Sequence, residues 1–214
     1  MLRPALSFCL FVSFGRADAG AAARVLRELR VGERNLLHTP AEARDPYLDD
    51  GAPPGLVAQL YFAALPELEA QLPVLEQALG AGASCEAMLV RSFPVPEPGR
   101  GRCTYLVAYA GPAADPEAWH AHYLAHHAQI MAGLPGLREL ELYKPLAWRN
   151  AARTWETVAS LQRNKVAFDS PPALAAALAS PVRAKMRADF AAFPPYSGSV
   201  IHYPMLTSDP WQEK

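Results

Sequence analysis

The sequence predicts an α+β chain: two ferredoxin-like βαββαβ repeats packed sheet to sheet as a pseudo-twofold α/β barrel. Three observations carry this expectation. Segments of the first half recur in order in the second, the second half reads βαββαβ throughout, and a proline- and glycine-rich linker separates the two. The 214 residues thus divide into a degenerate N-terminal repeat (residues 1–95) and a C-terminal repeat (96–214) that carries the expected site. A sheet covered by helices on one face needs a partner for the other, and tandem halves supply it within one chain.

The elements follow in order. "LFVSFGRAD" (residues 10–18) and "YLVAYAGPAAD" (105–115) each give a β-branched and aromatic strand, a small-residue turn and an Asp able to cap a helix. The first helix is expected over 19–37. The polar, proline-rich stretch at 32–55 reads as loop with at most one short strand. "FAALPELEAQL" (62–72) and "FDSPPALAAAL" (168–178) share F-x-x-x-P-x-L-x-x-x-L, a strand end followed by a helix opened by proline. "CEAMLVRSF" (85–93) and "SVIHYPML" (199–206) close the halves as strands, and "LRELELYKPL" (137–146) alternates like a half-buried strand. The linker "PVPEPGRGR" (94–102) continues neither strand nor helix.

Composition excludes several functions. The formal net charge is −1 with no basic run, so the electrostatic footprint of a nucleic-acid binder is missing. Cys9, Cys85 and Cys103 are widely spaced and form no CxxC, which argues against a disulfide framework or a cysteine zinc site and for a reducing, cytoplasmic setting. The N-terminal cation, apolar stretch and small residues are those of a secretory signal, but the repeat reads them as a buried strand. No apolar run approaches the ~20 residues that cross a bilayer. The expected partner is a small hydrophobic molecule, with neither nucleic acid nor membrane, and the chain is expected to be a monomer with an internal pseudo-dimer, or a homodimer.

The chemistry concentrates in "DPEAWHAHYLAHHAQIMAGLPGLREL" (115–140), which holds four of the six histidines. Asp115 and Pro116 start this helix and "LPGL" ends it. At ~100° per residue, Trp119, Tyr123, His127, Ile130 and Leu134 share one sector. His127 therefore sits in the apolar stripe, where burial lowers its pKa below ~6.5 and leaves a neutral imidazole able to accept a proton. Tyr123, one turn away, gives a plausible acid–base pair. His122 and His126 have i,i+4 metal spacing but no HExxH glutamate or nearby cysteine, so they read as solvated and no metal is assigned. Trp119, Ile130, Tyr143, Trp148 and Phe193 are candidate apolar walls. His202 joins the pocket in one of its two strand registers, and Asp189 reads first as a solvated helix acid and second as a carboxylate that orients a histidine. The helix of the first half has no histidine, so the polar pocket is expected in one half only.

At "YLVAYAGP", "WHAHYLAHHAQIMAGLPGLRELELYKP" and "VAFDSPPALAAALASPVRAKMRADFAAF" the second half resembles the EthD-like family of the dimeric α/β-barrel superfamily, here as a tandem repeat in one chain; the first half matches loosely. The resemblance implies a pocket between sheet and helices, and maps the family's helix histidine to His127 and its tyrosine to Tyr123. Where the family often has His-Ala-Pro-Leu, this chain has His127-Ala128-Gln129-Ile130. Relatives include cofactor-free isomerases, cyclases, decarboxylases and oxygenases, haem-linked enzymes, and many members without a known reaction. The leading expectation is a cofactor-independent lyase or isomerase acting by proton transfer on an aromatic or polyketide-like molecule in a catabolic or secondary-metabolic pathway. The alternatives are a monooxygenase or haem-dependent oxidoreductase, and a non-catalytic accessory protein that binds small molecules.

Overall fold

Strand side chains alternate between two different environments, and that alternation organises the molecule. The computed structural model describes residues 8–42 and 50–212. The first half runs β1 (Phe8–Phe14), α1 (Arg16–Glu28), β2 (Arg34–Pro40), β3 (Leu56–Phe62), α2 (Leu65–Leu79) and β4 (Ser84–Phe93). The second runs β5 (Cys103–Tyr109), α3 (Pro116–His122), a π turn (Tyr123–His127), α4 (Ala128–Met131), β6 (Glu139–Pro145), a two-residue β7 (Glu156–Thr157), β8 (Gln162–Phe168), α5 (Pro171–Leu178), α6 (Pro181–Phe190) and β9 (Val200–Ser208).

The strands close a ring in the order β1-β3-β2-β9-β5-β8-β6-β4 and back to β1, antiparallel throughout. β7 lies outside the ring, parallel to β4. Within the ring β4-β1-β3-β2 and β9-β5-β8-β6 have the same topology, and β4–β6 and β2–β9 are the two seams. Closure leaves no free edge among these strands.

One face of each strand meets helices and the other meets the barrel interior. In the first half Leu10, Val12, Ala58, Leu60 and Ala87 pack on Leu26 of α1 and Leu68, Leu72 and Leu75 of α2. Each such leucine is worth roughly 2 kcal/mol of burial. The second half repeats this with Tyr105, Val107, Leu140 and Val166 against Trp119, Met131 and Leu174. Cys9, Phe11, Val57, Tyr61, Met88, Tyr143 and Met205 fill the interior.

Polar groups also occupy that interior. Lys165, fully buried, binds Glu139 at 2.7 Å and Glu141 at 2.8 Å, and Arg34 binds Glu139 at 2.9 Å. Burial pushes the Glu139 carboxyl up, but Lys165 and Arg34 outweigh it and hold it down at about 2. Tyr61 and Tyr143 both reach Glu141, at 2.7 and 2.6 Å, and Gln59 links Tyr143 (2.9 Å) to His38 (2.7 Å).

One expectation is sharpened and one corrected. In the stretch that reads as loop with one short strand, that strand is β2, seven residues long and held between β3 and β9. Its pattern was obscured because both faces are buried: Asn35 donates to the Leu26 carbonyl on the helix side at 2.8 Å, and His38 faces the interior network. The first helix ends at Glu28, nine residues short of the expected 37. Gly32, at φ 75°, turns the chain there, and a Cβ would collide with the Tyr61 carbonyl.

Candidate functional site

The helix-facing side of β5, β8 and β9 does not fill completely. Between it and the π turn, α4, α5 and α6 lies a cavity of about 350 Å³, within the range of small-molecule sites. Tyr105, Val107 and Tyr109 of β5, Asn164, Val166 and Phe168 of β8, and Val200 and His202 of β9 form the sheet wall. His127, Met131, Leu134 and Leu178 form the helix wall, with Arg183, Met186, Arg187 and Phe190 along α6. Asp50, from the segment between β2 and β3, completes the lining from the other half of the chain.

The π turn sets which side chains of the histidine helix face inward. A regular α-helix advances 3.6 residues per turn, so residues four apart drift around it. One wider turn absorbs the drift, and Trp119, Tyr123, His127 and Met131, at successive i+4 positions, are all buried. Met131 thereby takes the lining position expected of Ile130, which is only half-buried.

His127 is 3% exposed and its Nδ1 lies 2.8 Å from Oδ2 of Asp189. The other oxygen of Asp189 contacts Nε2 of His122 at 3.1 Å. Burial lowers the His127 pKa, the Asp189 carboxylate pulls it back up in part, and the net shift is downward. The ring is therefore neutral at pH 7. With Nδ1–H donated to Asp189, Nε2 carries the lone pair and can accept a proton. The Tyr123 and Phe193 rings flank the imidazole at 4.8 and 5.4 Å.

His202 is also ordered by a carboxylate. Its backbone N–H and ring Nδ1 both lie on Oδ2 of Asp50, at 2.8 and 2.7 Å, and the ring stacks on Tyr105 at 5.5 Å. In β9 it pairs with Val107, which places it on the helix-facing side. Beside Arg183 and Arg187 of α6, Tyr109 and Asn164 also meet the cavity. Tyr109 has its hydroxyl 3.3 Å from that of Tyr123, and burial raises its pKa to about 12. Asn164 is buried, with Nδ2 3.7 Å from the Met131 sulfur and an Oδ1 that has no hydrogen-bond partner.

Of the residues expected from sequence, the cavity brings together His127 and His202. Tyr123 is fully buried one layer back, behind Tyr109, and its hydroxyl points at the Met131 sulfur at 3.5 Å. Trp119 and Phe193 pack in the aromatic cluster around Tyr109, Tyr123 and Tyr196 rather than on the lining. Tyr143 is on the opposite face of its strand, inside the barrel, since alternation puts Leu142 toward the helices. Trp148, in the segment after β6, packs on the core of the first half. Asp189 is not a solvated acid: its side chain is 12% exposed and holds two histidines. Its signal was the stripe of Val182, Met186, Phe190 and Phe193 around it on and just after α6, all packed on the second core. Asp50 offered none, lying 152 positions from its partner. His126 is exposed, and among the described residues no group of three His, Cys, Asp or Glu side chains could hold a metal ion.

No family model matches the sequence, and no curated protein matches it. Solved structures do. An anthrone oxidase-like protein superposes with a TM-score of 0.57 at 15% identity, over 98% of this chain and 95% of that one. A candidate monooxygenase from Fusobacterium nucleatum gives 0.59 at 8% identity, over 96% and 94%. A variant chlorite dismutase from Candidatus Nitrospira defluvii gives 0.54 at 11%, over 95% and 93%. The chain has the dimeric α/β-barrel fold. Both seams of that fold are made within one chain here, and among the described residues no helix is long and apolar enough to cross a membrane.

Proposed function

We propose that this chain is an enzyme that takes a proton from an activated carbon of a flat, hydrophobic aromatic or polyketide-like molecule, and that the carbanion so formed is oxidised by dioxygen. The observation that carries the reading is the buried His127, fixed by Asp189 at 2.8 Å, at the wall of a mostly apolar cavity. A positioned base of this kind supplies about 10²–10⁴-fold. The Tyr109 hydroxyl at the same wall is suited to donate to the oxyanion that develops as the proton leaves.

Overall, an activated methylene and one dioxygen become a ketone carbonyl and one water. Both C–H bonds of the methylene break, one carbonyl forms, and dioxygen takes the four electrons, one of its oxygen atoms ending in the ketone and the other in water. The oxygen branch, ahead of a lyase or isomerase outcome, is supported by neighbours described as anthrone oxidase-like and as a candidate monooxygenase. Membership of the EthD-like family, and the division into repeats 1–95 and 96–214 with the site in the second, belong to the same reading. Three buried free cysteines are in keeping with a reducing, cytoplasmic setting.

The test uses anthrone as substrate, following its conversion to anthraquinone by mass spectrometry and oxygen uptake by electrode. Wild type is expected to consume one dioxygen per anthrone, and His127→Ala to lose this. Hydrogen exchange at the activated carbon without oxygen uptake moves the reading to a lyase or isomerase. A Soret band in the purified protein moves it to a haem-dependent oxidoreductase, and binding with neither reaction to an accessory protein.

A further inference from the structure

We infer that His202, held by Asp50, is a second proton-transfer group of the same cavity: the general acid that protonates the reduced oxygen after His127 has deprotonated the carbon. The inference rests on the function proposed above and adds a residue and a step to it. The cavity has two histidines on facing walls, His127 on the helix wall and His202 on the sheet wall, and each is fixed at Nδ1 by one carboxylate, at 2.8 and 2.7 Å. The same orientation device therefore occurs twice around one space, built from unrelated segments of the chain.

The chemistry gives such a group a task. Proton removal at Nε2 of His127 leaves a carbanion, whose electron pair forms a C–O bond to dioxygen and gives a peroxide anion. Protonation of that anion makes the hydroperoxide. His127, having passed its first proton to solvent, takes the remaining C–H proton; that electron pair forms the carbonyl and breaks the O–O bond, and the hydroxide released leaves as water on taking a proton from His202, itself reprotonated from solvent. Each oxygen-centred step consumes a proton, and His202 faces the same cavity from the wall opposite the base.

The other polar groups there serve poorly as the donor. A guanidinium such as that of Arg183 or Arg187 does not release its proton near neutrality, and the Tyr109 hydroxyl is pushed up to about 12. His202 is a side chain whose type matches the task. The two rings also sit in different surroundings, with side-chain exposures of 4% for His127 and 13% for His202, and unlike environments are what separate an acid from a base. Asp50 acts as a positioning residue: one oxygen takes both the backbone N–H and the ring nitrogen of His202, which fixes the rotamer. Because Asp50 precedes β3, the N-terminal half, which has no histidine on its own helix, completes the site of the C-terminal half.

The full-length chain tests this with anthrone in two assays. Anaerobic exchange of the activated C–H in heavy water reads the base alone, and aerobic formation of anthraquinone reads both groups. In Asp50→Asn and in His202→Gln, aerobic turnover is expected to fall by about 10²-fold more than exchange does. A fall in both assays together makes the pair part of the scaffold and overturns the assignment, as does unchanged turnover in both variants. Wild type that neither exchanges nor oxidises anthrone overturns the parent reading and this step with it.

Discussion

Oδ2 of Asp189 sits 2.8 Å from Nδ1 of His127, joining two helices 62 positions apart at the edge of an apolar cavity. A carboxylate in that place fixes the tautomer and stabilises the imidazolium that forms when the ring takes a proton. Asp189→Asn is therefore expected to lower the anthrone exchange rate by about 10²-fold. The Asp189 carboxylate also raises the His127 pKa against the downward pull of burial, so its removal moves the acid limb of the pH–rate profile to lower pH. A profile that keeps its position removes Asp189 from the base.

The two tyrosines of this region should separate. Tyr109 lines the cavity, whereas Tyr123 stands behind it with its hydroxyl 3.3 Å from that of Tyr109. Tyr109→Phe is expected to lower kcat and, because it removes the same buried hydroxyl–hydroxyl hydrogen bond, to cost about 1 kcal/mol as well. Tyr123→Phe should leave kcat within a few-fold and cost about 1 kcal/mol, the worth of one buried hydrogen bond. Urea unfolding combined with steady-state kinetics checks both, and the reverse ranking would restore Tyr123 to the reacting centre.

The barrel interior makes a prediction independent of catalysis. Lys165 is fully buried between Glu139 and Glu141, so Lys165→Met leaves Glu141 without its cation and Glu139 with Arg34 alone. Loss of one partner of a buried ion pair costs about 3–5 kcal/mol. Urea denaturation should show a loss of this size with an unchanged m-value.

Acid should destabilise the fold in two stages. His38 is pushed down to about 3 by burial foremost and then by Lys165, so the unfolded chain binds the extra proton once pH drops below ~6.5. Glu139 is held at about 2 by Lys165 and Arg34 against its burial. Its contribution is full above its unfolded value of ~4.3 and is lost as pH falls toward 2. Stability therefore falls from pH ~6.5 downward and more steeply below about 4.5. His38→Gln is expected to flatten the upper stage, which thermal melts across pH would show.

Much of the fold was legible because the repeat is written in local signals: the F-x-x-x-P-x-L pattern, the Asp-Pro helix start and the alternating strands. β2 was faint, a short strand without bounds, because a strand buried on both faces shows no alternation, and its Asn35 and His38 find partners only in the folded chain. His127 was legible from its place in an apolar stripe. Ile130 and Met131 were exchanged because the phase of that stripe depends on the π turn, which no single residue announces. Tyr143 illustrates another limit: strand alternation says that it and Leu142 face opposite ways, but not which of them meets the helices. Asp50 and Asp189 illustrate the last, since a carboxylate that orients a distant histidine looks in sequence like any surface acid.

The most direct measurement is the rate at which the activated C–H of anthrone exchanges in heavy water without oxygen, in wild type and in His127→Ala of verified fold. Acceleration by wild type that drops by about 10²-fold or more in the variant is the predicted result. Equal rates in the two proteins would contradict it and return His127 to the core.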